Sequence, residues 1–197
     1  MDNWSLIEPH ILKRSYSLVK PIIKDFEGII KLSKPRKSKL GDFRAQKNGE
    51  TSISINNDLK PDAFLVTLLH EIAHYHVYRF DTKIAKAHGE EWKNRFRNLI
   101  SPFLDKDIFS TNVQLALQNQ IASPKASCGA SVELMKAFNP DLENRNTIEK
   151  LPFGCHFQLK NGKKFKLGVK RKTRYECSEL TSGIIFTIHP LVEAKLI

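Results

Sequence analysis

His70, Glu71 and His74, in the run His70-Glu71-Ile72-Ala73-His74, are the group whose types and spacing can do chemistry. On a helix, His70 and His74 sit one turn apart on one face, close enough to hold one metal ion, and Glu71 lies beside His74 along the same edge. Neutral imidazole is a good zinc ligand, and a catalytic zinc takes three protein ligands and keeps a fourth position for water. A carboxylate aimed at that water without binding the metal can take its proton, making a hydroxide at neutral pH that attacks a polarised carbonyl. Glu71 fits the base role. The spacing is that of a zinc hydrolase.

A helix has to carry these residues. Phe64, Leu65, Leu68, Leu69 and Ile72 supply apolar positions at helical spacing, Pro61 suits a first turn, and few breakers interrupt Asp62 to Phe80. Two histidines and a glutamate at this spacing also occur on ordinary surface helices with both imidazoles solvated. Here Leu69, Ile72 and Ala73 are uncharged, an apolar frame that excludes water around a site.

A third ligand has to come from elsewhere. Of the seven histidines, His10, His156 and His189 lie far along the chain, which leaves His76 and His88. His76 follows His74 by two residues, about 200° around a helix, and points away from the metal. His88 comes after an expected helix end near Phe80-Asp81 and is followed by Gly89. The amphipathic run beyond it carries Trp92, Phe96 and Leu99 on one side. A turn there folds His88 back onto the first helix.

HEIAH, then thirteen residues, then HGEEWKNRF resembles the SprT-like metalloprotease family, in which a helix carrying HExxH precedes an HGxxF/W segment. Upstream, KSKLGDFRAQKNGETSISINNDL running into FLVTLLHEIAH resembles the family's strand region before the active helix. The resemblance spans Lys37 to Leu99. It implies zinc held by His70, His74 and His88, with Glu71 as catalytic acid/base. Glu90 and Glu91 remain alternative ligands, and the metzincin pattern, with its third histidine much closer to the second, does not fit. The type resembled is bacterial and lacks a cysteine zinc ribbon. PKASCGASVEL is similar to a segment that follows the protease core in some bacterial relatives, with no readable role. Tyr75 and Tyr78 are helix-borne candidates for oxyanion stabilisation.

The chain has 197 residues, 41% hydrophobic and 27% charged, the composition of an ordinary globular protein. No apolar run approaches the roughly 20 residues that span a bilayer. MDNWSLIEPH has neither a basic start followed by an apolar stretch nor a small-residue cleavage site, so a cytoplasmic location is expected, nucleoid-associated if DNA is bound. Cys128, Cys155 and Cys177 are too few and too scattered for a disulfide framework or a four-cysteine zinc site, and are expected as buried or half-buried thiols.

A formal charge of +11 favours a polyanionic partner. The charge is clustered. Residues 31–47 hold seven Lys/Arg against one acid, and residues 150–174 hold nine against none.

Ser5 to Phe26 reads as a helix broken or kinked at Pro21, with Leu12, Tyr16, Val19, Ile23 and Phe26 buried. Ile29–Leu32, Leu40–Gln46 and Ser52–Asn56 read as strands, with an Asn48-Gly49 turn between the last two. The fold class is therefore α+β, a zincin-like domain over 1–105. Ser52–Asn56 is the candidate edge strand for pairing with an extended substrate. Residues 106–150 read as a helical connection. Residues 151–197 read as a small basic module of three to five antiparallel strands, separated at Asn161-Gly162, Gly168 and Ser182-Gly183. Its basic residues interleave with Phe157, Phe165 and Tyr175, a composition compatible with single-stranded nucleic acid, although Phe157 and Phe165 are better placed as core.

The resulting expectation is a zinc endopeptidase acting on DNA-bound or DNA-crosslinked proteins, the crosslink substrate being implied by the resemblance and the charge. Two alternatives stand beside it: a cytoplasmic metallopeptidase without a nucleic-acid role, and a non-catalytic DNA-binding protein braced by zinc. Oligomeric state is not encoded legibly.

Overall fold

A computed structural model describes residues 2–36, 39–81, 86–122 and 131–197. The chain forms two compact units, Met1–Gly129 and Ala130–Ile197. In the first, α1 (Asn3–Ile7) and α2 (Tyr16–Asp25) precede β1 (Ile29–Ser33), β2 (Gly41–Ala45) and β3 (Thr51–Asn56). Three helices follow: α3 (Pro61–Phe80), α4 (Glu90–Asp105) and α5 (Thr111–Ala122). Cys128 and most of PKASCGASVEL lie outside the described residues.

α3 is buried almost all round from Ala63 to Ala73. A helix that is apolar on every face belongs in the middle of a fold. It packs against β2 and β3 and also against α4. Trp92, Phe96, Ile100 and Phe103 form the buried stripe of α4, whereas the expected Leu99 is only half-buried.

The sheet order is β1-β3-β2, with β3 parallel to β1 and antiparallel to β2. This corrects the expectation that Ser52–Asn56 is an edge strand. β3 is paired on both sides, and β2 is the edge next to α3. Alternation along a strand reports which face is buried, but its neighbours are set by distant parts of the chain.

Buried Asn56 fixes where β2 begins. Its amide donates to the carbonyls of Arg36 (3.2 Å) and Lys39 (3.1 Å), and its backbone N–H donates to Leu40 O at 2.9 Å. Arg36 in turn donates to Asn56 Oδ1 at 2.8 Å and Ser54 Oγ at 3.0 Å.

The N-terminal helix also differs from expectation. The interruption falls at Glu8–Leu12, where Pro9 starts a 3-10 turn, and Pro21 sits inside α2. Pro21 removes one intrahelical bond, but buried Val19 and Ile23 hold α2 against the core through it.

In the second unit α6 (Val132–Phe138) and two 3-10 turns lead to β4 (His156–Leu159), β5 (Lys164–Lys170), β6 (Tyr175–Glu179), β7 (Ile185–Ile188) and β8 (Ala194–Leu196). The described part of 106–150 is therefore shared between the units, α5 in the first and α6 in the second. The five strands form one antiparallel sheet in the order β7-β6-β5-β4-β8. Ile148, Phe157, Phe165, Leu167, Cys177, Ile188 and Ala194 make its core, and the Phe157 and Phe165 rings stack with centroids 5.6 Å apart. Gly168 is not a turn. It lies in a bulge of β5, and the chain reverses at Arg171–Arg174. Cys155 is half-buried and Cys177 buried, both free thiols. Among the described residues no helix is long and apolar enough to cross a membrane.

Candidate metal centre

α3 presents His70 and His74 one turn apart, as their spacing requires. The third imidazole comes from the turn before α4. Gly89 N–H donates to Lys86 O at 2.8 Å and closes that turn, and Gly89 caps α4. His88, between them, holds a left-handed backbone with φ 61°. That conformation costs a non-glycine residue about 1–2 kcal/mol, and it turns the ring back onto α3.

The three Nε2 atoms form a tight triangle: His70 to His88 is 3.1 Å, His74 to His88 3.0 Å, and His70 to His74 3.3 Å. Nitrogens about 2.0–2.1 Å from a tetrahedral zinc stand roughly 3.3–3.4 Å apart, slightly wider than this triangle, so the donor set is of a size to close around a small metal ion. Among the described residues, this is the group of His, Cys, Asp or Glu side chains that can hold a metal. Glu90, offered as an alternative ligand, is turned to Lys93 at 2.6 Å, and Glu91 lies outside the cluster. His76 is half-buried against Phe80 and takes no part.

Trp92 backs all three rings. Its centroid lies 4.5 Å from that of His70, 5.4 Å from His74 and 4.7 Å from His88, and its indole N–H donates to His70 O at 3.4 Å. Phe96 stacks behind it at 5.0 Å. Burial pushes the His70 imidazole well below its usual pKa and His74 down to about 4, with the neighbouring histidines adding to both. Burial also lowers His88. Neutral rings are what a metal needs.

Glu71 is enclosed between α3 and β2. Burial, then the charge of Asp42, raises its carboxyl to about 8, while the Phe43 backbone N–H, Arg36 and Lys39 pull the other way. Asp42 behaves differently. Burial would raise it, but Lys39 at 2.8 Å and Arg44 at 2.7 Å hold it below the usual carboxylate range.

The sequence reading missed three contributors: Asp42, Gly41 and the role of Trp92 as a wall. A glycine at the start of a strand is the available signal for Gly41, since it marks a close approach. Of the two tyrosines, Tyr75 is buried and its hydroxyl accepts the Glu27 backbone N–H at 3.2 Å, whereas Tyr78 is half-exposed beside Phe43.

The fold and site thus define a mixed α and β protein with three convergent imidazoles able to hold a metal and, one residue along α3 from His70, the buried carboxyl of Glu71. The chain belongs to the SprT-like family, whose model matches residues 17–115. This membership points to a metallopeptidase-like role. No curated protein and no solved structure matches the chain.

Proposed function

We propose that this chain is a zinc-dependent endopeptidase of zincin type, with His70, His74 and His88 as metal ligands and Glu71 as general base. The observation that carries the reading is the triangle of Nε2 atoms, 3.0–3.3 Å on a side, with Glu71 adjoining its first member. Zinc held there supplies Lewis acidity, lowering the pKa of a water and polarising the scissile carbonyl.

Glu71 takes the water's proton on its carboxylate and passes it to the leaving amine. Trp92 and Phe96 keep bulk water from the back of the histidines. Tyr75 is buried with its hydroxyl against the Glu27 backbone, which leaves Tyr78 as the accessible helix-borne donor for the developing oxyanion. An extended substrate segment pairs with the outer edge of β2, where main-chain hydrogen bonds give binding with little side-chain selectivity.

DNA association is the second part of the reading. Its support is the net charge of +11 and its concentration in 31–47 and 150–174. A protease held on a polyanion meets the basic proteins bound or crosslinked to it.

The test is cleavage of an unfolded protein by the full chain, with zinc, with a chelator, and after zinc is restored, each with and without single-stranded DNA. Loss on chelation, recovery on zinc addition and stimulation by DNA are expected. Cleavage that survives complete zinc removal contradicts the peptidase mechanism. Activity indifferent to DNA and salt removes the nucleic-acid part alone.

A further inference from the structure

Phe153 is 77% exposed, the highest value for a large apolar side chain among the described residues. Its backbone is also fixed in place. Cys155 N–H donates to Pro152 O at 3.3 Å, and Gly154, with φ 78°, completes a tight turn. Gly154 N–H donates to Leu167 O and Leu167 N–H to Cys155 O, both at 2.9 Å, so the turn is fastened to β5 just beyond the ring. A loose loop lets such a ring fold back onto the surface. A fastened one holds the residue out at the rim of the sheet, and together with exposed Ile185 it forms an apolar patch open to a partner.

Beside the ring runs an open groove of about 540 Å³, with Phe153 and Ile185 (66% exposed) among its lining residues and Lys166 and Ser178 on the outer face of the sheet. Its floor is low because a β-carbon on Gly168 would meet Glu176 O at 2.7 Å, so β5 and β6 approach closely at the bulge. The volume lies within the ~300–1,000 Å³ range of small-ligand clefts.

The register sets the charge around the groove. Phe165 and Leu167 point into the core, which places Lys164 and Lys166 on the outer face of β5, opposite Gln158 and His156 of β4. Lys195 of β8 lies opposite Gln158 on the same face. Neighbouring strands are about 4.8 Å apart and alternate residues about 6.6 Å, so Lys166 stands about 6.6 Å from Lys164 along β5 and Lys195 about 9.6 Å from Lys164 across β4, all within reach of one phosphate chain. None of the three has a carboxylate partner among the described residues. Their neighbours do: Lys163 pairs with Glu179, Arg171 with Glu176 and Lys160 with Glu193. Glu176, the acid of the groove, is thereby already neutralised.

We propose that this face of the C-terminal sheet binds single-stranded nucleic acid, with one base stacked on Phe153 in the groove and the backbone phosphates on Lys164, Lys166 and Lys195. It deepens the DNA-associated part of the proposed function and rests on it for the partner's class. A stack needs an exposed ring on an ordered backbone and a phosphate chain needs unpaired cations at short intervals; this face has both.

The experiment measures anisotropy of labelled oligothymidylate, oligouridylate and duplex DNA with the full-length chain over a range of salt concentrations. Phe153→Ala, Phe153→Tyr and the double variant Lys164→Ala/Lys166→Ala are compared with wild type, folding being checked by thermal melting. Phe153→Ala is expected to weaken single-strand binding about tenfold at unchanged salt slope, and Phe153→Tyr to restore it. The double lysine variant should lower the slope of log affinity against log salt by about 1.4. The thymidylate and uridylate arms decide between DNA and RNA.

If wild type binds and all variants bind equally, nucleic-acid association stands and this site is wrong. A loss with the lysines but not with Phe153→Ala marks a generic polyanion surface and overturns the stacking site. If wild type binds no oligonucleotide at low salt, both this site and the DNA-associated reading fall, and the peptidase reading is judged by cleavage alone.

Discussion

A β-carbon on Gly41 would stand 2.6 Å from Oε1 of Glu71 and 2.6 Å from Cγ2 of Thr67. The first residue of the edge strand is thus fitted against the proposed base, and the hydrogen bonds of Asn56 hold the strand's entry in place.

Gly41→Ala should therefore push Glu71 out of position. A displacement near 1 Å costs on the order of 100-fold in turnover, and the overpacking costs about 1–3 kcal/mol of stability. Zinc stoichiometry should be unchanged, because the atoms nearest that β-carbon belong to Glu71 and Thr67 rather than to an imidazole. Turnover at the wild-type level would show that Glu71 needs no such room.

Metal affinity separates the four histidines of this region. His70→Ala, His74→Ala or His88→Ala should each weaken zinc binding by more than about 100-fold, since loss of an outer-shell partner alone costs 10–100-fold. His76→Ala should leave it unchanged. Competition titration with a chromophoric chelator reads this directly, and a His88 variant with wild-type affinity would remove the third ligand from the account.

Trp92 is fully enclosed and touches every imidazole of the triangle. Trp92→Phe keeps an aromatic wall but loses the bond to His70 O, so it should cost about 1 kcal/mol beyond packing changes. Trp92→Ala should cost about 3–5 kcal/mol in chemical denaturation. Zinc affinity should fall with both, more with alanine.

The metal-free protein should have a stability maximum near the ordinary histidine pKa of about 6.5. His74, at about 4, and His70 and His88, also depressed, stay neutral in the fold after they would charge in the unfolded chain. Below about 6.5 the unfolded state therefore binds more protons, and stability falls as pH drops towards 4. Glu71 acts in the opposite sense. Raised from 4.5 to about 8, it binds a proton in the fold that the unfolded chain has released, so its contribution is lost as pH rises towards 8. Melting temperatures in chelator across pH 4.5 to 8.5 test this, and Glu71→Gln should flatten the high-pH side. A flat profile in wild type would contradict it.

Much of the first unit was legible because its signals are local. The apolar spacing of Phe64 to Ile72 and the turn at Asn48-Gly49 act within a few residues, and α3 and the β2–β3 hairpin follow them. The convergence of His88 on His70 and His74 came from a motif resemblance rather than from periodicity. What was misread depends on distant partners. β3 is central because β1 pairs with it from over twenty residues upstream, and no alternation pattern reports that. Pro21 inside α2 is a case of core packing outweighing local propensity. Phe153 gave no periodic signal at all: its meaning lies in a turn fastened to β5 by backbone bonds, which leave no trace in side-chain pattern.

The central claim is tested most directly by Glu71→Gln beside wild type, both confirmed zinc-loaded, on a DNA-bound basic protein. Zinc retained with cleavage reduced by about 10²–10⁴-fold is the predicted result, the loss expected for a general base. Unchanged cleavage in the zinc-loaded variant would contradict the account.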